Sequence, residues 1–98
     1  MNTIFIYSGQ GVASHCIEHT IHLLRQKYGH LYTLVRATAE QLAEEKTPPK
    51  LYVLPGGSAI TIGQDLDPAM PKIRKFIAQG SGLLAMCAGA MTASTQWQ

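Results

Sequence analysis

Leu83-Leu84-Ala85-Met86-Cys87-Ala88-Gly89-Ala90 is the stretch on which the fold turns. Leu83 to Met86 is wholly apolar, as a strand buried on both faces of a parallel sheet must be. Small residues follow at once, and Ala88, Gly89, Ala90, Met91, Thr92 and Ala93 read as a helix leaving that strand. A cysteine between a buried strand and a helix sits on a sharp turn that only small neighbours tolerate.

The same grammar repeats upstream. Leu51 to Leu54 is an apolar strand that ends abruptly at Pro55-Gly56-Gly57. Ser58 to Leu66, rich in small and polar residues, reads as a loop. Asp67-Pro68 then starts a helix, with a side-chain cap followed by proline at the first helical position. Met70, Ile73 and Ile77 form its core stripe, and Gly80 ends it. At the N-terminus, Thr3 to Tyr7 is a β-rich apolar run closed by Ser8-Gly9-Gln10-Gly11. Ser14 is the candidate cap of a helix reaching about Tyr28, with Ile17, Ile21, Leu24 and Tyr28 on one face and Gly29 as its stop. Leu31 to Val35 reads as a strand. Thr38 with Gln41 fits a capping box, opening a short helix to about Glu45 that Thr47-Pro48-Pro49 breaks.

Strand and helix therefore alternate four times. That order predicts an α/β fold: a doubly wound, flavodoxin-like parallel sheet of about four strands, with right-handed crossovers and helices on both faces. The 98 residues make a single domain. In such a sheet ligands bind beyond the carboxyl ends of the strands. Three unusual segments fall there: Ser8 to Gly11, Pro55 to Ser58, and Cys87 to Gly89.

Composition excludes several classes. The chain is 46% hydrophobic and 14% charged, which supports a core and argues against disorder. A net charge of +2, from scattered basic residues, makes no groove for nucleic acid. Arg25, Arg36, Lys72, Arg74 and Lys75 read as solvated surface. No apolar stretch reaches membrane-spanning length, and MNTIFIYSG lacks the basic flank of a signal peptide. Two cysteines, Cys16 and Cys87, form neither a disulfide framework nor a zinc spacing, and free thiols suit a cytoplasmic setting.

Cys87 is the first candidate for chemistry. At a helix N-terminus the thiolate is favoured, and the amide of Ala88 points toward an oxyanion formed on an acyl group attached there; the competing reading is a buried structural cysteine. Gly57 is the second candidate. Where strands three and four are neighbours, its amide supplies a second oxyanion donor; alone, the glycine pair reads as a turn. His15, His19 and His22 lie on one helix face, opposite the Ile17/Ile21/Leu24 stripe. Three histidines along a straight face do not converge on one ion, so no metal and no cofactor is expected. His15, in the first turn at the sheet edge, is the one candidate for a ligand contact or for a base serving Cys87. Asp67 has a sufficient role as a helix cap, and Asp65 reads as a solvated loop carboxylate. Trp97 calls for a packing partner.

In order, Tyr7-Ser8-Gly9, Ser14-His15, His19-Thr20, Leu54-Pro55-Gly56-Gly57, Asp65-Leu66, Lys72-Ile73-Arg74 and Cys87-Ala88-Gly89 resemble the amidotransferase-like N-terminal domain of biotin protein ligases. More broadly, the Pro-Gly-Gly loop followed by helix and strand-Cys-Ala-Gly resembles class I glutamine amidotransferases. The resemblance implies Cys87 as nucleophile, with Gly57 and Ala88 as oxyanion amides. It also implies a His and a carboxylate well downstream of the cysteine, whereas only eleven residues follow Cys87 here (98 − 87) and no His-x-Glu is among them. The expectation is an incomplete domain with weak or no amide hydrolysis, a small amide or carboxylate as its ligand, and no biotinylation. The alternative is a non-catalytic binding or assembly module. It would form a homo-oligomer through an open sheet edge, or be completed by a missing partner segment.

Overall fold

The computed structural model describes residues 2–85. Among the described residues four strands, β1 (Thr3–Tyr7), β2 (Thr33–Ala37), β3 (Leu51–Leu54) and β4 (Gly82–Ala85), form one parallel sheet of order β2-β1-β3-β4. The order follows from the crossovers. The chain moves one way from β1 to β2, then reverses past β1 to β3 and continues to β4. Right-handed connections then put α1 (Ser14–Tyr28) on one face, and α2 (Ala39–Glu44), α3 (Ala59–Leu66) and α4 (Met70–Ala78) on the other. The architecture is the expected doubly wound, flavodoxin-like one.

Strand alternation assigns the two cores. Ile4, Ile6 and Val53 meet Ile17, Ile21 and Leu24 of α1. Phe5, Tyr7, Tyr52 and Leu54 point the other way, into Leu42, Ile62, Leu66, Met70, Ile73 and Phe76. Tyr28 closes the first core only in part, beside Tyr32, with ring centroids 6.0 Å apart.

β1 and β3 have the expected bounds, and the Thr38/Gln41 capping box is formed reciprocally. Other boundaries differ for identifiable reasons. β2 begins at Thr33, two residues later than expected, because Leu31 and Tyr32 turn back to bond the Tyr28 carbonyl. β4 begins at Gly82, one residue earlier than expected, because the Gly82 amide is already held by the Lys50 carbonyl at 3.0 Å; Met86, expected as its last residue, lies outside the described residues. The cap of α1 is Ala13, not Ser14, and no side chain caps it. Gly29 ends α1 in right-handed geometry, through its amide to Arg25.

The segment from Ser58 to Leu66, expected as a loop, is the helix α3. Ser58 caps it by accepting from the Thr61 amide, and Ile62 and Leu66 are fully buried. Asp67 makes no side-chain cap; a 3-10 turn (Asp67–Ala69) carries the chain from α3 into α4, with Pro68 inside it. The core stripe of α4 is Met70, Ile73 and Phe76, while Ile77 is half-buried. Lys72 is not plain surface. Its ammonium donates to the Glu45 carbonyl at 2.9 Å and stands 5.5 Å from the Phe76 ring centre, tying α4 to the end of α2.

Candidate functional site

Two of the three glycine-bearing segments at the carboxyl edge come together. The loop after β1 (8–13) and the loop after β3 (55–58) pair through an antiparallel bridge between Val12 and Gly57. The Ala13 amide donates to Gly56 O at 3.1 Å, and the Ser58 amide donates to Gly11 O at 2.8 Å. In this kind of pair the flanking residues make the bonds. The Gly57 N–H and C=O therefore point away from Val12, away from the β1 side where the first loop lies. β4 borders β3 on the opposite flank, so strands three and four are neighbours.

Gly57 can be nothing larger. Its φ is +154°, and a Cβ placed there would collide with the Gly11 carbonyl and come within 2.9 Å of the Ala13 nitrogen. The close approach of the two loops demands the glycine.

Asp65 departs most from expectation. It projects from the last turn of α3 back to the first loop. The buried Tyr7 hydroxyl donates to Asp65 Oδ2 in a very short bond and lies 2.8 Å from Gln10 O. The Gln10 amide adds a second donor to the same carboxylate oxygen at 3.3 Å. Burial first, then the Asp65 hydrogen bond and charge, pushes the Tyr7 phenol well above the ordinary tyrosine range. Gly9 sits under this contact, and a Cβ there would run into Asp65 and lie 2.6 Å from the Tyr7 hydroxyl. The Tyr7-Ser8-Gly9 and Asp65-Leu66 signatures are thus one structure, which no spacing rule within either segment reveals.

α1 begins at the same edge. Its first turn has no side-chain cap and no acidic residue, so its positive dipole end is uncompensated. An open cleft of about 330 Å³ lies there, lined by Ser8, Gly9, Val12, Ser14, Ile17 and Arg36. Arg36, read as solvated surface, is one wall of this cleft and bonds the exposed Glu18 at 2.6 Å. His15 is exposed in that first turn, and His19 and His22 are exposed further along α1. Among the described residues no cluster of metal-ligating side chains occurs, and no helix is long and apolar enough to cross a membrane. Cys87, Ala88 and Trp97 lie outside the described residues.

A parallel sheet of this order, with two glycine loops zipped at its carboxyl edge above β1 and β3, defines a flavodoxin-like α/β domain. Over residues 1–98 the chain matches the family model described as biotin-protein ligase, N terminal, and it belongs to that family. No curated protein and no solved structure matches it.

Proposed function

We propose that this domain carries an amidotransferase-like thiol site at the carboxyl edge of its sheet. Cys87 is the nucleophile, and the amides of Gly57 and Ala88 hold the oxyanion. The observation that carries the reading is the orientation of Gly57: its N–H is turned from the first loop and has no partner among the described residues. An amide held open by its neighbours, on the flank that leads to the Cys87 strand, is what an oxyanion hole needs before substrate arrives.

The chemistry this supports is thioester formation from a small carboxamide. The Cys87 thiolate attacks the carbonyl carbon and forms a C–S bond. The displaced π pair moves to oxygen, where the two amides stabilise it. Collapse breaks the C–N bond as the nitrogen takes a proton, releasing ammonia; water then hydrolyses the thioester. His15, in the first turn of α1, is the candidate for the proton transfers. The cleft beside Arg36 and the uncapped start of α1 suits the carboxylate end of such a ligand.

Alkylation of Cys87 against pH tests the nucleophile, with Cys16 as internal control. The expected result is rapid reaction with an apparent pKa well below the free-thiol value of about 8.5. Ammonia release from glutamine that disappears in Cys87→Ala would establish hydrolysis. A Cys87 that reacts no faster than Cys16 at every pH sinks the proposal.

One observation favours a second reading, assembly. β2 pairs only with β1 among the described residues, so its outer edge offers unpaired backbone groups. Light scattering would show a dimer on that reading and a monomer at all concentrations against it.

A further inference from the structure

Neither Tyr7 nor Asp65 belongs to the proposed chemistry, yet together they hold the loop on which Gly57 leans. Tyr7 ends β1, and Asp65 sits on the last turn of α3. α3 is therefore fastened to the first loop twice: at its start through Ser58 N to Gly11 O, and at its end through Asp65 to Tyr7 and Gln10. Gly57 lies between the first fastening and β3, so its peptide plane follows from how these anchors sit.

One hydroxyl proton faces two acceptors at Tyr7, the Asp65 carboxylate and the Gln10 carbonyl. The Gln10 N–H reaches the same carboxylate. Loop, strand end and helix end thus converge on one oxygen. Gly9 is compressed beneath, where any side chain would push the carboxylate off the phenol.

We propose that Asp65 and Tyr7 are positioning residues: a clasp that closes the 8–13 loop against α3 and so sets the Gly57 amide for oxyanion binding. The catalytic half of this statement rests on the proposed function; the clasp itself does not.

Two readouts separate the halves. The first is amide hydrogen exchange at Ala13 and Ser58, the donors of the bridge, in wild type, Tyr7→Phe, Asp65→Asn and Asp65→Ala. Tyr7→Phe removes only an oxygen, and Asp65→Asn keeps the shape, so these two variants remain informative if Asp65→Ala fails to fold. Exchange at Ala13 and Ser58 should rise about tenfold or more, the scale of a lost charge-assisted hydrogen bond, while amides inside α1 stay protected. Unchanged exchange at both amides overturns the clasp.

The second readout compares two reactions of Cys87. Iodoacetamide alkylates a thiol by displacement at a saturated carbon and forms no oxyanion; p-nitrophenyl acetate acylates it through one. In the clasp variants, acylation should fall by about tenfold or more while alkylation holds its wild-type rate. Equal acylation in wild type and variants overturns the positioning role. Wild-type protein that is alkylated but never acylated refutes the oxyanion reading, and the exchange data still decide the clasp.

Discussion

At Gly57 the missing side chain is a consequence of packing between loops. The Gly11 carbonyl occupies the space a Cβ would need. Gly57→Ala must therefore part the bridge or strain the backbone, and is expected to cost about 2–3 kcal/mol, seen as a lower urea midpoint at constant m. Tyr52 presents the opposite case. It is buried against Phe5, with ring centroids 6.3 Å apart, and its hydroxyl has no protein partner among the described residues. Removing a hydroxyl that is desolvated without compensation is neutral or favourable. Tyr52→Phe should keep the fold at equal stability or raise it by up to about 1 kcal/mol at neutral pH, measured by the same denaturation. Tyr7→Phe, whose hydroxyl is engaged, should destabilise under identical conditions.

Among the elements, α3 decides how the edge is built. It has eight residues, too few to persist alone in water, and its stability comes from burying Ile62 and Leu66 and from the Ser58 cap. Ser58→Ala should cost about 1 kcal/mol, and the loss should be largest in exchange protection near Thr61 and Ile62. The stripe of α4 gives a larger effect. Phe76 is buried and lies beside the Lys72 ammonium, so Phe76→Ala should cost about 3–5 kcal/mol, whereas Ile77→Ala, at a half-buried position, should cost visibly less. The ranking Phe76 above Ile77 checks the helix phase directly.

Over the whole molecule, the two buried phenols set an alkaline limit. Burial, with a smaller contribution from the Glu45 charge, pushes Tyr52 up to about 12; Tyr7 is raised further. Each folded value lies above the unfolded one near 10. The folded protein therefore keeps protons that the unfolded chain has released. Their contribution is fully present below about pH 10 and is lost as pH rises through the folded values, at about 1.4 kcal/mol per pH unit for each tyrosine. Thermal melts from pH 9 to 12 should show a steepening fall in Tm, shallower in Tyr52→Phe. A melting curve flat across that range would contradict both assignments.

Much of this plan is legible in the chain because it is local. Apolar runs such as Leu51–Leu54 determine where strands lie, the Thr38/Gln41 pair marks a helix start, and the glycines show where the backbone bends or is closely approached. Alternation of strand and helix with right-handed crossovers leaves few sheets to choose from, and the Pro55-Gly56-Gly57 loop could be placed at the carboxyl edge of the sheet from the sequence alone. α3 was not legible, because Thr61, Gly63 and Asp65 weaken its intrinsic preference and its stability comes from the core beneath it. In α4, Phe76 joins the expected Met70 and Ile73 in the buried stripe, and Ile77 packs at its margin, because positions three and four residues after Ile73 both border the core face. Asp65 and Tyr7 stand 58 positions apart in the chain. Only the tertiary structure decided that they meet, since a hydrogen bond between distant residues depends on where packing leaves the ends of a strand and a helix, and no local pattern encodes that distance.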